Sequence, residues 1–173
     1  QLFLGAGLYN ILIFSDEFDI QHIIHIIHKN WYNHKVADKE TIRRLPKDKF
    51  PKALLEIPQP PENLWVAGEL PPEKSIYLCV VGSRKFTSYG RDACEKIIAG
   101  LKGYPIVIVS GLALGIDAIA HKKALSVGLK AMVFPGSGLS PQAMYPKTNA
   151  QLAKEILEQG GCLISEFEPS FKA

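Results

Sequence analysis

The sequence is poor in cysteine, in long hydrophobic runs and in net charge. Its three cysteines, Cys79, Cys94 and Cys162, are odd in number, widely spaced and never arranged as Cys-x-x-Cys. That argues against a disulfide framework and against a zinc site, and makes a reducing cytosol the simplest setting. Residues 2 to 14 are largely apolar, but they fall short of the roughly 20 residues a bilayer span requires and lack a basic leader. No membrane segment and no signal peptide are expected. The net charge is only +3, too small by itself to argue for a nucleic-acid partner. A Gly-x-Gly-x-x-Gly fingerprint is also absent, which removes the usual sign of a dinucleotide enzyme.

What the chain does have is core. Hydrophobic residues make up 47% of the 173 and charged residues 21%, a balance that favours a packed domain over disorder. The length fits one medium domain, or a small domain with an incomplete larger one. Because the chain opens on Gln1 and closes just after a predicted strand, a fragment at both ends is expected. Charge is unevenly spread: from Lys74 onward 12 Lys and Arg face 7 Asp and Glu, whereas residues 1 to 73 hold 8 against 10. The second part is the basic part, although an ordinary solvated lysine surface accounts for so modest an excess about as well.

Three segments follow one another. Residues 1 to 45 read as a small helical segment, with Ile20, Ile23, Ile24 and Ile27 forming one apolar stripe. His22, His25 and His28 recur every three residues beside it, with His34 beyond. That step drifts around a helix, whereas metal binding favours an i, i+4 pair, so no metal is assigned. Residues 46 to 75 carry seven prolines and read as an extended lead-in, with a short strand near Leu64 to Ala67. Residues 76 to 173 alternate apolar strands and helices: strands at Ile76–Val81, Ile106–Val109, Lys130–Phe134 and Cys162–Ser165, and helices at about Ser88–Leu101, Ile116–Ser126 and, capped by Asn149, up to about Gln159. The pattern predicts an α/β, Rossmann-like three-layer fold with a mostly parallel sheet, incomplete at the C-terminus.

Chemistry gathers where those strands stop. The first apolar run ends at Gly82, Ser83 and Arg84: a glycine for close backbone approach, a hydroxyl donor, and a guanidinium suited to a two-pronged contact with phosphate. The second ends at Ser110, Gly111, Ala113 and Gly115 and feeds a helix whose N-terminus carries partial positive charge. Asp117 in its first turn is read equally as a helix-end carboxylate or as a ligand contact. His121 follows one turn later, so an acid and base pair is available by spacing, with loop support the more economical reading. A third stop, Pro135-Gly136-Ser137-Gly138, forms another wall. Tyr145 is placed to stack on a base or to pack as an aromatic, and Glu166 closes the last strand. No catalytic residue, metal or cofactor is assigned.

In Val81-Gly82-Ser83-Arg84 with Ser88-Tyr89-Gly90, in Ser110-Gly111-Leu112-Ala113-x-Gly115-Ile116-Asp117-x-x-Ala120-His121-x-x-Ala124-Leu125, in Tyr145-Pro146 and in Ile164-Ser165-Glu166, the chain resembles the bacterial DNA-processing protein A family (DprA, also called Smf). Phe50-Pro51 through Pro60-Pro61-x-x-Leu64 to Gly68 is similar as well, so the resemblance covers about residues 50 to 173. It implies a cytoplasmic, Rossmann-like protein that binds single-stranded DNA in natural transformation, protects the incoming strand and helps load the RecA recombinase, with a homodimer left open. The family continues with a Phe-Pro-x-Arg-Asn-Arg segment and further strands, whereas this chain stops at Ala173. An unpaired sheet edge is therefore expected after the last strand.

The competing reading is a nucleotide-processing hydrolase of the lysine-decarboxylase-like, phosphoribohydrolase group. Its Pro-Gly-Gly-x-Gly-Thr loop is absent and Pro135-Gly136-Ser137-Gly138 is only a faint echo, but Asp117 and Glu166 leave N-glycosidic hydrolysis open.

Overall fold

The computed structural model describes residues 10–14, 41–50, 55, 57–72 and 74–173. Its strands are β1 (Asn10–Phe14), β2 (Arg43–Leu45), β3 (Leu64–Gly68), β4 (Ile76–Gly82), β5 (Ile106–Ser110), β6 (Lys130–Val133) and β7 (Cys162–Ser165), and its helices are α1 (Ser88–Gly100), α2 (Ile116–Ser126) and α3 (Ala150–Glu158). Among the described residues these strands form one seven-stranded sheet in the order β1-β4-β5-β6-β7-β3-β2. The first five in that order run parallel. The last two are antiparallel to their neighbours.

Strands β4 to β7 are near-continuous apolar runs because both faces of the sheet are covered. Each crossover from β4 to β7 steps the same way along the sheet, so right-handed connections place all three helices on one face. There Leu78, Val80 and Ile108 pack with Cys94, Ile98, Ile116 and Ala120, and Ala131, Val133 and Leu163 pack with Leu152, Ala153 and Ile156. On the opposite face Cys79, Val107, Val109, Met132, Cys162 and Ile164 are covered by Phe50, Ile57 and Leu70 of the proline-rich segment. That segment supplies the third layer. All three cysteines are free and buried; burial, the main cause, pushes each thiol up to about 12, so they behave as small apolar core residues. Among the described residues no helix is long and apolar enough to cross a membrane.

Helix α1 starts as its sequence suggests, with the Thr87 hydroxyl accepting from the Gly90 N–H at 3.1 Å, which satisfies one of the free donors of the first turn.

Two features differ from the sequence reading. Segment 1 to 45, expected to be helical, contributes two strands: Asn10–Phe14 lies in register with Leu78–Gly82, and Arg43–Leu45 pairs with Leu64–Val66. An unbroken apolar run such as the Ile-Leu-Ile-Phe that follows Asn10 has no periodicity to decide between helix and strand, and a neighbouring parallel ladder decides it. The isoleucine stripe from Ile20 to Ile27 and His22, His25, His28 and His34 lie outside the described residues. The second difference concerns β7, expected to be an open edge. It is flanked by β3, with Trp65 opposite Ser165 and Gly68 opposite Cys162, so a strand from far upstream closes the position.

Ile108 is fully buried in the second of the parallel strands that the helices cover. Ile108→Ala is expected to cost about 2–5 kcal/mol, read as a lower urea midpoint with an unchanged denaturant slope.

Candidate functional site

Parallel pairing brings the carboxyl ends of β4, β5, β6 and β7 to one edge of the sheet. Here the turn after β4 and the start of α2 become one surface. The Ile116 N–H donates to the Ser83 carbonyl at 3.2 Å. A Cβ on Gly82 would stand 2.7 Å from the Ile116 Cβ, and a Cβ on Gly115 would stand 2.2 Å from the Ser83 oxygen and 2.7 Å from the Arg84 Cα. Gly115 also holds φ at +86°, a conformation that favours glycine. Gly82, Ser83, Arg84 and Gly115, singled out from sequence, are thus brought together. The Ser83 hydroxyl accepts from the Lys85 N–H at 3.0 Å and donates to the Lys85 carbonyl at 2.8 Å, which fixes the turn and leaves Arg84 exposed at its tip.

The loop from Ser110 to Gly115 is held from below. One oxygen of the buried Asp117 carboxylate accepts from the N–H groups of Gly111, at 3.1 Å, and Ala113, at 3.4 Å. Leu112 between them is fully buried with φ at +63°, a conformation uncommon for a residue with a side chain. Asn149, expected to cap α3, makes no cap hydrogen bond. Its buried amide instead reaches back and donates to the carbonyls of Leu112, at 2.9 Å, and Ala113, at 3.2 Å. Sequence reasoning missed this contact because an asparagine before a helix reads as a cap. The nearest sequence signal is the Tyr145-Pro146 pair, which ends three residues before it.

The third wall is fastened elsewhere. The Ser137 carbonyl accepts from the Ser165 hydroxyl at 2.8 Å, the Gly138 N–H donates to the Phe171 carbonyl at 2.8 Å, and the Ser140 N–H donates to the Pro169 carbonyl at 2.9 Å. Phe167 and Phe171 stack with centroids 4.4 Å apart. The 135–140 turn is therefore tied to the chain that follows β7. Gly136, Tyr145 and Glu166 are exposed, and Tyr145 precedes a cis proline, Pro146.

Burial dominates the electrostatics beneath the loop. It raises the Asp117 pKa above the ordinary carboxylate value, opposed in turn by the Ser110 hydroxyl and by the N–H groups of Ala113, Gly111 and Gly82. The hydroxyl acts by proximity, since its oxygen lacks the alignment of a full hydrogen bond. His121 is fully buried, and burial lowers its pKa to about 4 against a weaker, opposite pull from the Ser110 backbone. Neither ring nitrogen has a well-aligned partner among the described residues, so the carboxylate and imidazole pair that the spacing offered is not formed. The imidazole is a neutral core group. Its depressed pKa makes the contribution of His121 complete above the ordinary value of 6.5 and lost as pH falls toward about 4, whereas the raised pKa of Asp117 works in the opposite direction as pH rises. Wild type is therefore expected to lose roughly 3 kcal/mol more than His121→Leu across that window, measured as urea midpoints at a series of pH values; parallel pH profiles would remove this account of His121.

The sequence profile of the DNA recombination-mediator protein A family matches residues 41–173. The chain is 42% identical over 118 residues to the protein Smf of Escherichia coli, covering 68% of this chain and 31% of that protein. It is 39% identical over 122 residues to the DNA processing protein DprA of Streptococcus pneumoniae, covering 70% of this chain and 42% of that one. The chain thus spans well under half the length of these curated relatives. Among solved structures, DprA from Streptococcus pneumoniae superposes with a TM-score of 0.65 at 36% identity, covering 78% of this chain and 46% of that chain. DNA processing protein A from Helicobacter pylori, whose structure was studied for its single-stranded DNA binding mode, gives 0.63 at 28% identity over 76% of this chain and 58% of that chain. With a sheet that fits those structures and a profile match running from β2 to the last residue, the chain belongs to the DNA recombination-mediator protein A family, the DprA/Smf proteins.

Proposed function

We propose that this chain supplies part of a single-stranded DNA binding surface in a cytoplasmic DprA/Smf protein, one that shields incoming strands during natural transformation and helps load the RecA recombinase. The observation that carries the reading is the fusion of the Gly82-Ser83-Arg84 turn with the first turn of α2. At that seam the exposed Arg84 has its backbone against a helix N-terminus. Both features attract a phosphate and neither reads a base, so the contact is independent of sequence.

In the proposed reading Ser83, Arg84, Gly111, Ala113 and Gly115 line this surface, while Gly82 and Ser110, expected from the sequence to contact the ligand, are buried and shape it from beneath. Asp117 and His121 act beneath it, and Gly136, Tyr145 and Glu166 make secondary contacts from the neighbouring turns. The backbone donors of Gly111 and Ala113 already serve Asp117, so those residues shape the surface more than they donate to it. The relatives' names and the recombination-mediator family support the nucleic-acid class of ligand. They give no support to the hydrolase alternative, and Asp117, turned toward loop N–H groups, offers no carboxylate for sugar chemistry.

Fluorescence anisotropy with a labelled oligothymidylate tests the reading. Arg84→Ala is expected to weaken binding roughly five- to tenfold at moderate salt and to lower the slope of log affinity against log salt by about 0.7, the loss of one single-strand phosphate contact. Unchanged affinity and slope would remove Arg84 from the surface, and cleavage of mononucleotides with indifference to oligomers would favour the hydrolase. Gly115→Ala, which drives a Cβ into the Ser83 carbonyl and against the Arg84 Cα, is expected to weaken binding by shifting the Arg84 turn although Arg84 itself is unchanged.

A further inference from the structure

The peptide unit between Leu112 and Ala113 is gripped at both ends. Its carbonyl accepts from the Asn149 amide at 2.9 Å and its N–H donates to the Asp117 carboxylate at 3.4 Å. The same amide holds the next carbonyl, Ala113, at 3.2 Å, and the same carboxylate holds the Gly111 N–H at 3.1 Å. Such a grip matters at this place because Leu112 sits at φ +63° with its side chain fully buried. A residue held in the left-handed region persists only where its surroundings over-determine it. With β5 fixed, return of Leu112 to a negative φ would swing the 112–113 peptide away from both Asn149 and Asp117, so the two bonds oppose it.

Asn149 is chemically suited to prevent that swing. It is buried, its amide donates to two carbonyls at once, and the short 3-10 turn Lys147–Asn149 anchors it through the Asn149 N–H to the Pro146 carbonyl at 3.0 Å. A carboxylate of the same shape would present only acceptors to those two carbonyls. Tyr145, exposed, lies just before the 3-10 turn, four residues ahead of Asn149. The loop beside Gly115 and the segment after β6, separate in sequence, are thereby one mechanical unit.

We infer that Asn149 is a positioning residue for the candidate nucleic-acid surface, locking the Leu112–Ala113 peptide against Asp117 so that Gly115 and the Arg84 turn present a fixed edge. The inference rests on the proposed DNA-binding reading for its consequence, but the lock itself is independent of any ligand.

Two measurements on the full chain separate the two claims. Amide hydrogen exchange compares wild type with Asn149→Asp, and with Asn149→Ala in case the charged variant does not fold. Loss of the lock is expected to speed exchange at Gly111 and Ala113 by roughly tenfold or more while β5 and α2 beyond its first turn stay protected. Anisotropy with oligothymidylate is expected to show Asn149→Asp binding several-fold more weakly than wild type. Arg84→Ala and the double variant Asn149→Asp with Arg84→Ala are expected to fall short of additivity, since a misplaced Arg84 turn has less to lose. Loop amides that exchange as in wild type would overturn the lock. A loosened loop with unchanged affinity would overturn the positioning role, and oligonucleotide ignored by wild type itself would instead remove the DNA-binding reading, leaving the exchange data to judge the lock.

Discussion

A carboxylate buried under a loop sets the terms for the whole carboxyl edge of this sheet. Removing Asp117 from water is costly unless donors converge on it, and the chain answers with the backbone of Gly111 and Ala113. Two residues of a six-residue loop must then point their N–H groups down at one oxygen. That demand forces Leu112, between them, into the left-handed region, seals its side chain in the core, and turns its carbonyl to where Asn149 meets it. The shape of the loop follows from the burial of one charge.

The sheet makes that shape useful by adjacency. Strands β4 and β5 are direct parallel neighbours, about 4.8 Å apart, so the turn leaving one and the helix fed by the other must share the same small volume. Two glycines admit this. Gly82 lets the Ile116 side chain lie over the strand end, and Gly115 lets the backbone at Ser83 and Arg84 press against the entrance to α2. Side chains at either position would part the two turns and move the backbone at Arg84 away from the helix N-terminus.

Strands β3 to β7, the three helices and the glycine turn after β4 were legible in the sequence because each rests on local or short-range signals. Helix α2 begins and ends where the glycine before Ile116 and the pattern after it place it, and β7 is the apolar run Cys162–Ser165 itself. What escaped depends on distant pairings. Nothing near Asn10–Phe14 says that it will lie beside Leu78–Gly82, and nothing near Leu64–Gly68 says that it will pair antiparallel with β7. Asn149 was noticed for the wrong partner: the local competition between capping its own helix and serving a loop 36 or 37 residues upstream is settled by the fold. The spacing of Asp117 and His121 suggested a pair, but burial made one a hydrogen-bond hub and the other a neutral core group.

Groups that satisfy one another make poor reagents and good scaffolding. Asp117 is occupied by the loop, the Ser83 hydroxyl by its own turn, the Ser165 hydroxyl by the neighbouring turn and Asn149 by two carbonyls. Catalysis on a sugar or phosphate calls for an acid or base aimed outward at a reacting atom, whereas these polar side chains aim inward. An interior so committed resists rearrangement, and what the edge offers in the proposed reading is electrostatic: an exposed Arg84 turn held against a helix end. A polyanion can meet such an edge with any phosphate of its backbone, whatever bases it carries, while a small metabolite offers one group. The inward turn of these polar groups is therefore what favours a strand of nucleic acid over a mononucleotide as the proposed ligand.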